Sequence, residues 1–295
     1  MEFAVNYSPA LAELVRAGQV GLDRFKCPAW PDLIAEAGAL LPVYVHFPLE
    51  VGWGLGSAYH SERKQAVDLE WLADLLAASG TPLVNTHLMP PAAAYPSIPL
   101  DSRDPRHIQQ VLDAALCDLE PLIHRFGAQQ ITVENCIGDY GQLRLSVLPE
   151  IFHRLLDETG CGFLFDQSHA RLAARKLGLD ERAYSLSLPM QRLREMHITG
   201  LQEIAGQWLE RLLAAGDTDG IGRTMAGQTL DHFPMLPADW RELAWAMENI
   251  RSGAWQTPWV IAFEYGGVGG FFQAITDREV LREQVPHMAG LIHKI

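Results

Sequence analysis

The sequence is short of basic residues, and this shortage argues against one class of function. It has 23 Lys and Arg against 36 Asp and Glu, which gives a formal net charge of −13 over 295 residues. Proteins that bind nucleic acids gain much of their affinity from basic side chains that neutralise phosphates. We therefore expect no nucleic-acid partner, and we expect most of the acidic charge to lie on a solvated surface.

Cysteines are also few. The four cysteines, Cys27, Cys117, Cys136 and Cys161, are widely spaced, and no two of them form a Cys-x-x-Cys pair. This spacing supports neither a zinc ribbon nor a thioredoxin-type redox motif. A chain of this size needs no disulfide bonds to stabilise its core, so we expect the protein in the reducing cytoplasm.

Long apolar runs are missing as well. No stretch reaches the roughly 18 residues that a membrane-spanning helix needs, and the N-terminus lacks the pattern of a signal peptide. The sequence shows no repeat, low-complexity tract or linker-like change in composition. With 48% apolar and 20% charged residues, it predicts one soluble domain over residues 1–295 with no membrane partner.

Eight short apolar segments alternate with segments of helical periodicity. The predicted strands cover residues 3–7, 22–27, 43–47, 82–87, 130–135, 162–165, 194–198 and 259–264. Such alternation is typical of parallel strands joined by helical crossovers. Eight units predict an α/β protein with the (β/α)8 TIM-barrel fold. An open, doubly wound sheet is the alternative, but no Gly-x-Gly-x-x-Gly follows the first strand.

The candidate site is read from the residues that end the strands, because the active site of a TIM barrel lies at the C-terminal ends of its strands. The sixth strand ends in Asp166, and His169 follows three residues later, so that a carboxylate and an imidazole converge there. Other strand ends supply His46, His87, Glu134, His197 and Glu264, and the pair Asp231-His232 lies between the seventh and eighth strands.

Any one of these nine side chains has an ordinary structural explanation, but their shared place at one mouth of the barrel favours metal binding. Nine ligands are too many for one ion with six positions, so we expect two or three ions. Imidazoles mixed with carboxylates suit iron, zinc or manganese. Adjacent side chains such as Asp231 and His232 face one point only if the backbone is irregular. Asp217 or Asp219 is therefore an alternative partner for this position.

The ordered ligand set resembles the xylose-isomerase-like superfamily, and within it the multinuclear non-haem iron-dependent oxidative enzymes of methanobactin-type peptide biosynthesis. Three features carry the closer resemblance. A Gly-rich loop, residues 52–57, follows His46; the fifth strand ends in Glu134-Asn135; and residues 192–200 read Arg-x-x-Glu-x-His-x-x-Gly. The family usually has Asp-x-His where this chain has Asp231 and His232 side by side.

This resemblance implies two or three iron ions as cofactors, with dioxygen as co-substrate. It also implies oxidative modification of a cysteine-containing peptide or a related small substrate, presented by a partner protein that binds the leader peptide. One alternative is a sugar isomerase or epimerase, in which Glu134 and Glu264 move a proton and Asp166 and His197 hold one divalent ion. Endonuclease IV-like phosphodiester hydrolysis is a second alternative, and a non-catalytic binding module is a third.

Overall fold

The computed structural model describes residues 1–139 and 141–293. Eight parallel strands form its centre, and each lies within two residues of a predicted strand. They are β1 (Glu2–Asn6), β2 (Arg24–Pro28), β3 (Val43–His46), β4 (Val84–Leu88), β5 (Ile131–Glu134), β6 (Gly162–Asp166), β7 (Leu193–Ile198) and β8 (Val260–Phe263). The strand prediction is confirmed.

The sheet closes into a barrel. β1 pairs with β2 and β8, and the pairing continues from β8 through β7, β6 and β5 to β4. The gap between β3 and β4 is closed by Leu49–Val51, a short strand that continues β3 after Pro48 and pairs in parallel with β4. The fold is therefore the predicted TIM barrel, and the open sheet is excluded.

Helices surround the barrel. Those of the described residues are Pro9–Arg16, Pro31–Gly38, Leu69–Ser79, Pro105–Phe126, Pro149–Thr159, Gln167–Leu177, Glu181–Leu186, Gly206–Ala214, Ile221–Thr224, Pro237–Arg251, Gly270–Ile275 and Arg278–Ile292. Five of them begin with proline, whose fixed φ suits the first helical turn and whose missing N–H costs nothing there. The sequence pattern does not predict Gln167–Leu177, because this helix follows β6 with no loop between them.

Several short elements connect the barrel strands. Single 3-10 turns cover Ala92–Ala94, Ala128–Gln130, Arg144–Val147 and Met190–Arg192, and Tyr59–His60 pairs with Gln65–Ala66 in a small hairpin. A separate antiparallel ribbon pairs Gly200–Glu203 with Thr229–Phe233. The sequence pattern predicts a loop over residues 231–237, and this is wrong for residues 231–233. Their strand is formed by pairing with a distant segment, which local periodicity does not reveal.

Apolar packing lies mainly between the barrel and the helices. The outward-facing Phe163 and Phe165 of β6 are fully buried there, as are Val43 and Val45 of β3. Inside the barrel, Ala4, Tyr44, Val260 and Ala262 form a separate buried cluster. In the described part of the chain, no helix is both long and apolar enough to cross a membrane.

The Gly-rich loop after the third strand is held by one buried carboxylate. Asp118, on the helix Pro105–Phe126, accepts hydrogen bonds from the backbone N–H groups of five successive residues, 52–56, at 2.7–3.0 Å. The Tyr95 hydroxyl donates to the Gly52 carbonyl in the same loop. The loop therefore has a fixed conformation beside the mouth of the barrel.

Candidate metal centre

The barrel brings all nine predicted side chains to one mouth. Eight of them form four overlapping groups of three, and within each group the possible ligand atoms lie within 4.8 Å of one another. The groups are His46–His87–Glu134, His46–His197–Glu264, Glu134–Asp166–His197 and Asp166–His169–Asp231. His232 lies outside these groups but beside them.

The first group is built on three adjacent strand ends. The Nε2 atoms of His46 and His87 are 3.0 Å apart, and Glu134 Oε2 lies 3.5 Å from the first and 3.2 Å from the second. His87 Nδ1 donates to the Leu49 carbonyl at 3.0 Å. A histidine whose one nitrogen donates to a carbonyl presents the lone pair of the other nitrogen, so His87 Nε2 is oriented toward the centre.

Asp166 caps a helix and also belongs to the candidate metal centre. Its Oδ1 accepts the His169 backbone N–H at 2.7 Å and so caps the helix Gln167–Leu177, while its Oδ2 is buried without a hydrogen-bond partner. His169 Nδ1 lies 3.0 Å from the Asn135 carbonyl, and His169 Nε2 lies 3.0 Å from Asp231 Oδ2. The cap fixes the spacing between Asp166 and His169.

Asp231 and His232 both face the mouth because the backbone between them is irregular. His232 has a φ of 66°, in the left-handed region that non-glycine residues seldom adopt. Its Nδ1 donates to the Glu264 carbonyl at 2.7 Å, and its Nε2 lies 3.6 Å from Asp231 Oδ2. Such strain persists where the surroundings enforce it, commonly at functional sites.

The alternative partners Asp217 and Asp219 have local structural roles. Asp217 accepts the backbone N–H groups of Gly222 and Arg223. Asp219 accepts the N–H of Phe271 at 2.7 Å. Asp219 also lines the cavity at the mouth. Neither residue belongs to a group of possible ligands among the described residues.

Lys26 is a member of the site that the sequence did not single out. Its ammonium group contacts Glu264 Oε1, and the same oxygen lies 3.2 Å from His197 Nδ1. Lys26 is only 7% exposed. The sequence feature that could have identified Lys26 is its charge near the C-terminal end of β2. It lies between the buried Phe25 and Cys27, at a position that faces the barrel interior.

The imidazoles of the mouth differ in charge. Burial lowers the pKa of His197 to about 4 and that of His46 well below its usual value. Burial also opposes the charged form of His169, but the carboxylates of Asp166, Asp231 and Glu134 outweigh it and raise the pKa. Two imidazoles are thus neutral and free to bind a cation, whereas His169 must first lose a proton.

Glu264 and Asp231 are ionised, because neighbouring cationic groups outweigh the effect of burial on their pKa. Burial opposes ionisation of Glu264, but His197 and Lys26 lower its pKa well below the usual value. The pKa of Asp231 is lowered to about 2, because His232 and His169 outweigh its burial. Burial dominates at Asp166 and raises its pKa. A cation beside Asp166 would reverse this effect.

Unpartnered polar atoms show that the residues fit a metal centre. Atoms of four predicted ligands are buried without a hydrogen-bond partner: His46 Nδ1, Glu134 Oε2, Asp166 Oδ2 and His197 Nδ1. Buried polar atoms without partners are costly and rare in folded proteins. Cations bound among these atoms would satisfy the lone pairs that the protein leaves unpaired.

A layer of polar side chains lies inside the barrel directly below the centre. Its members are Tyr44, Asn85, Thr132 and Glu195, and each stands two residues before a predicted ligand on the same strand. Residues two apart on a strand face the same side. Burial raises the pKa of Glu195 to about 7, against the hydrogen bonds from Tyr44 and Thr132. The spacing of two residues from each predicted ligand indicates this layer, but the layer was not among the predictions from the sequence.

The mouth opens into a cavity of about 540 Å³. His46, His87, Glu134, His169 and Glu264 lie at its floor, and Trp30 and Phe272 are among its other lining residues. Lys26 is the only Lys or Arg among the described residues that line it, and its ammonium pairs with Glu264. This volume suits a small molecule or a short segment of a peptide.

No family model matches the sequence, and neither does any curated protein. Among solved structures, the chain is similar to the IolI protein with a bound zinc atom, with a TM-score of 0.55 and 10% identity over 100% of this chain and 99% of that chain. It is also similar to the 3-keto-D-glucoside 4-epimerase YcjR from E. coli, with a TM-score of 0.53 and 16% identity over 99% of each chain.

A third similar structure is D-psicose 3-epimerase from Clostridium cellulolyticum H10, with a TM-score of 0.50 and 12% identity over 98% of this chain and 97% of that chain. At these identities the likeness concerns the fold. The fold is a TIM barrel, as the sequence predicted, and these structures share it. The comparisons do not support the narrower resemblance to the methanobactin-type oxidative enzymes.

Proposed function

We propose that the protein is a metal-dependent enzyme whose barrel mouth holds at least two divalent ions. One observation carries the proposal: His46, Glu134, Asp166 and His197 each belong to two of the four overlapping groups. The groups contain eight side chains in all, more than one ion of six positions accepts. Shared carboxylates are a usual way to hold two cations at short distance.

The donor set also limits the kind of ion. Imidazole nitrogens and carboxylate oxygens together suit zinc, manganese or iron better than magnesium or calcium. When bound, such ions act as Lewis acids that polarise a substrate oxygen. The protein itself contributes ionised Glu134 and Glu264, neutral His46 and His197, and a cavity of about 540 Å³ above them.

Metal analysis tests the number of ions. Protein purified without chelators and reconstituted anaerobically with zinc, manganese or iron is expected to hold two or three ions per chain by mass spectrometry. His87→Ala is expected to lower this number, whereas His153→Ala, on the outer helix Pro149–Thr159, is not. A single ion in the wild-type protein with every metal would contradict the proposal.

The reaction we propose first is proton transfer on a small polyhydroxylated substrate, as in a sugar isomerase or epimerase. Two of the similar structures are sugar epimerases by name. Glu134, at the end of β5, and Glu264, directly after β8, line the cavity, and both have a lowered pKa. Each carboxylate is therefore ionised, and in this reaction one of the two would accept a proton from a substrate carbon.

Exchange of hydrogen with solvent tests this reaction. The metal-loaded protein is incubated in D2O with a panel of ketohexoses, and deuterium at carbon is followed by NMR. We expect incorporation with the wild-type protein and none with Glu264→Gln. If no sugar exchanges hydrogen in a protein that holds its ions, the proposed isomerase reaction is contradicted, but the proposed metal centre is not.

Oxidative modification of a cysteine-containing peptide by iron and dioxygen is the second candidate. The observation that favours it is the number of imidazoles. The site contains His46, His87 and His169 in addition to His197, and a single-ion isomerase site requires fewer imidazoles than this. Oxygen uptake by the iron-loaded protein with cysteine peptides, together with a paramagnetic resonance signal from coupled irons, would distinguish it. The same uptake with the zinc-loaded protein would argue against it.

Lys26 is expected to oppose metal binding, because its ammonium and a cation compete for the same oxygen of Glu264. Lys26→Gln is expected to tighten zinc binding by roughly tenfold, since removal of a nearby like charge favours the ion. Competition with a chelator measures the affinity, and Lys64→Gln, an exposed lysine, is the control. Weaker binding by Lys26→Gln would show that the lysine supports the centre instead.

A further inference from the structure

The buried layer below the centre contains a hydrogen-bonded chain that ends at His197. The Tyr44 hydroxyl donates to Glu195 Oε2 at 2.6 Å, and the same hydroxyl lies 2.8 Å from His197 Nε2. All three residues are fully buried. The chain joins β3 to β7 across the interior of the barrel, on the side of His197 that faces away from Glu264.

Glu195 is held by donors from two further strands. Its Oε1 accepts the Thr132 hydroxyl at 3.1 Å, and the Asn85 amide lies 3.5 Å from its Oε2. Asn85 is itself fixed, because its Oδ1 accepts the Phe47 N–H and its amide donates to the Val45 carbonyl. The carboxylate is thus surrounded by donors and serves as the acceptor at the end of the chain.

This arrangement determines which atoms of the chain carry the protons. The single proton of the Tyr44 hydroxyl is directed to Glu195, so the hydroxyl oxygen accepts a hydrogen bond from His197 Nε2–H. A neutral imidazole that is protonated on Nε2 has its lone pair on Nδ1. His197 Nδ1 is the buried nitrogen without a hydrogen-bond partner, 3.2 Å from Glu264 Oε1.

We propose that Tyr44 and Glu195 are positioning residues that hold His197 in the Nε2–H tautomer and present Nδ1 to a metal ion. The inference deepens the proposed function and rests on it. Partners of this kind, which touch a ligand but not the metal, fix the ring and strengthen binding. Neither residue touches the cavity, so their effect on the centre passes through His197 alone.

Tyr44→Phe tests the chain by removing one oxygen while keeping the ring. Zinc affinity, measured by competition with a chelator, is expected to fall by roughly 10- to 100-fold. Tyr184→Phe is the matched control, because Tyr184 is equally buried and donates to the Val147 carbonyl, away from the centre. Equal affinity of Tyr44→Phe and the wild type would overturn the proposal.

A second measurement reads the tautomer directly and needs no bound metal. Nitrogen NMR of the metal-free wild type at pH 8 is expected to show His197 protonated on Nε2, and Tyr44→Phe and Glu195→Gln are expected to populate both tautomers. Protonation on Nδ1 in the wild type would overturn the proposal. If the wild type bound no metal, the proposed function would fail, while this spectrum would still decide the role of Tyr44 and Glu195.

Discussion

Replacement of Asp118 with Asn is expected to lower the free energy of unfolding by at least about 3 kcal/mol, because several hydrogen bonds to a buried charge are lost at once. The carboxylate accepts five backbone N–H groups from residues 52–56. An amide has one acceptor oxygen, and its NH2 group would face N–H groups that also donate. For a domain of this size the loss corresponds to a decrease in Tm of roughly 5 °C.

Thermal unfolding with and without metal measures the effect. Asp113→Asn, an exposed change on the same helix, is the control and is expected to leave Tm within about 1 °C of the wild type. The loop also positions Glu50, which receives a hydrogen bond from Trp53 and lines the cavity. A Tm for Asp118→Asn that equals the control would show that the five hydrogen bonds contribute little.

Replacement of Glu134 with Gln is expected to have the largest effect on the metal centre. Glu134 belongs to two of the ligand groups and links the His46–His87 pair to Asp166 and His197. An amide has no charge to offset that of the cations and offers one acceptor oxygen instead of two. We therefore expect the loss of at least one ion per chain, and we expect affinity for the remaining ions to fall by at least about 100-fold.

Mass spectrometry of reconstituted protein and chelator competition give the two quantities. Glu62→Gln makes the same chemical change at an exposed residue that lines the cavity but belongs to no ligand group. Metal content of Glu134→Gln equal to that of this control would contradict the bridging role. Circular dichroism checks that the metal-free variant keeps its fold.

The barrel was predictable because its strands are short apolar segments separated by clear helix signals. Strand β6 illustrates this: residues 162–165 are apolar or glycine, and the strand observed is Gly162–Asp166. Closure by Leu49–Val51 was not predictable, since it depends on pairing with β4 across a break in β3. The helix Gln167–Leu177 was missed because Asp166 ends a strand and caps a helix at the same time.

The candidate site was predictable to the extent that strand ends determine it. The proximity of His46, His87 and Glu134 follows from adjacent parallel strands whose ends share one edge of the barrel. The orientation of Asp231 and His232 does not follow, because it depends on the left-handed backbone at His232. Lys26 also escaped prediction, since its pairing with Glu264 joins residues far apart in the sequence.

The antiparallel ribbon has a consequence for the order in which ions bind. Asp231 is carried by this ribbon, which packs on its own small core around Trp208 and Phe271, whereas the other grouped residues lie on or next to barrel strands. Folding of the barrel already places these other residues in position. Binding of an ion to Asp231 also requires the ribbon to pack in its native position. We therefore expect this ion to bind last and to dissociate first.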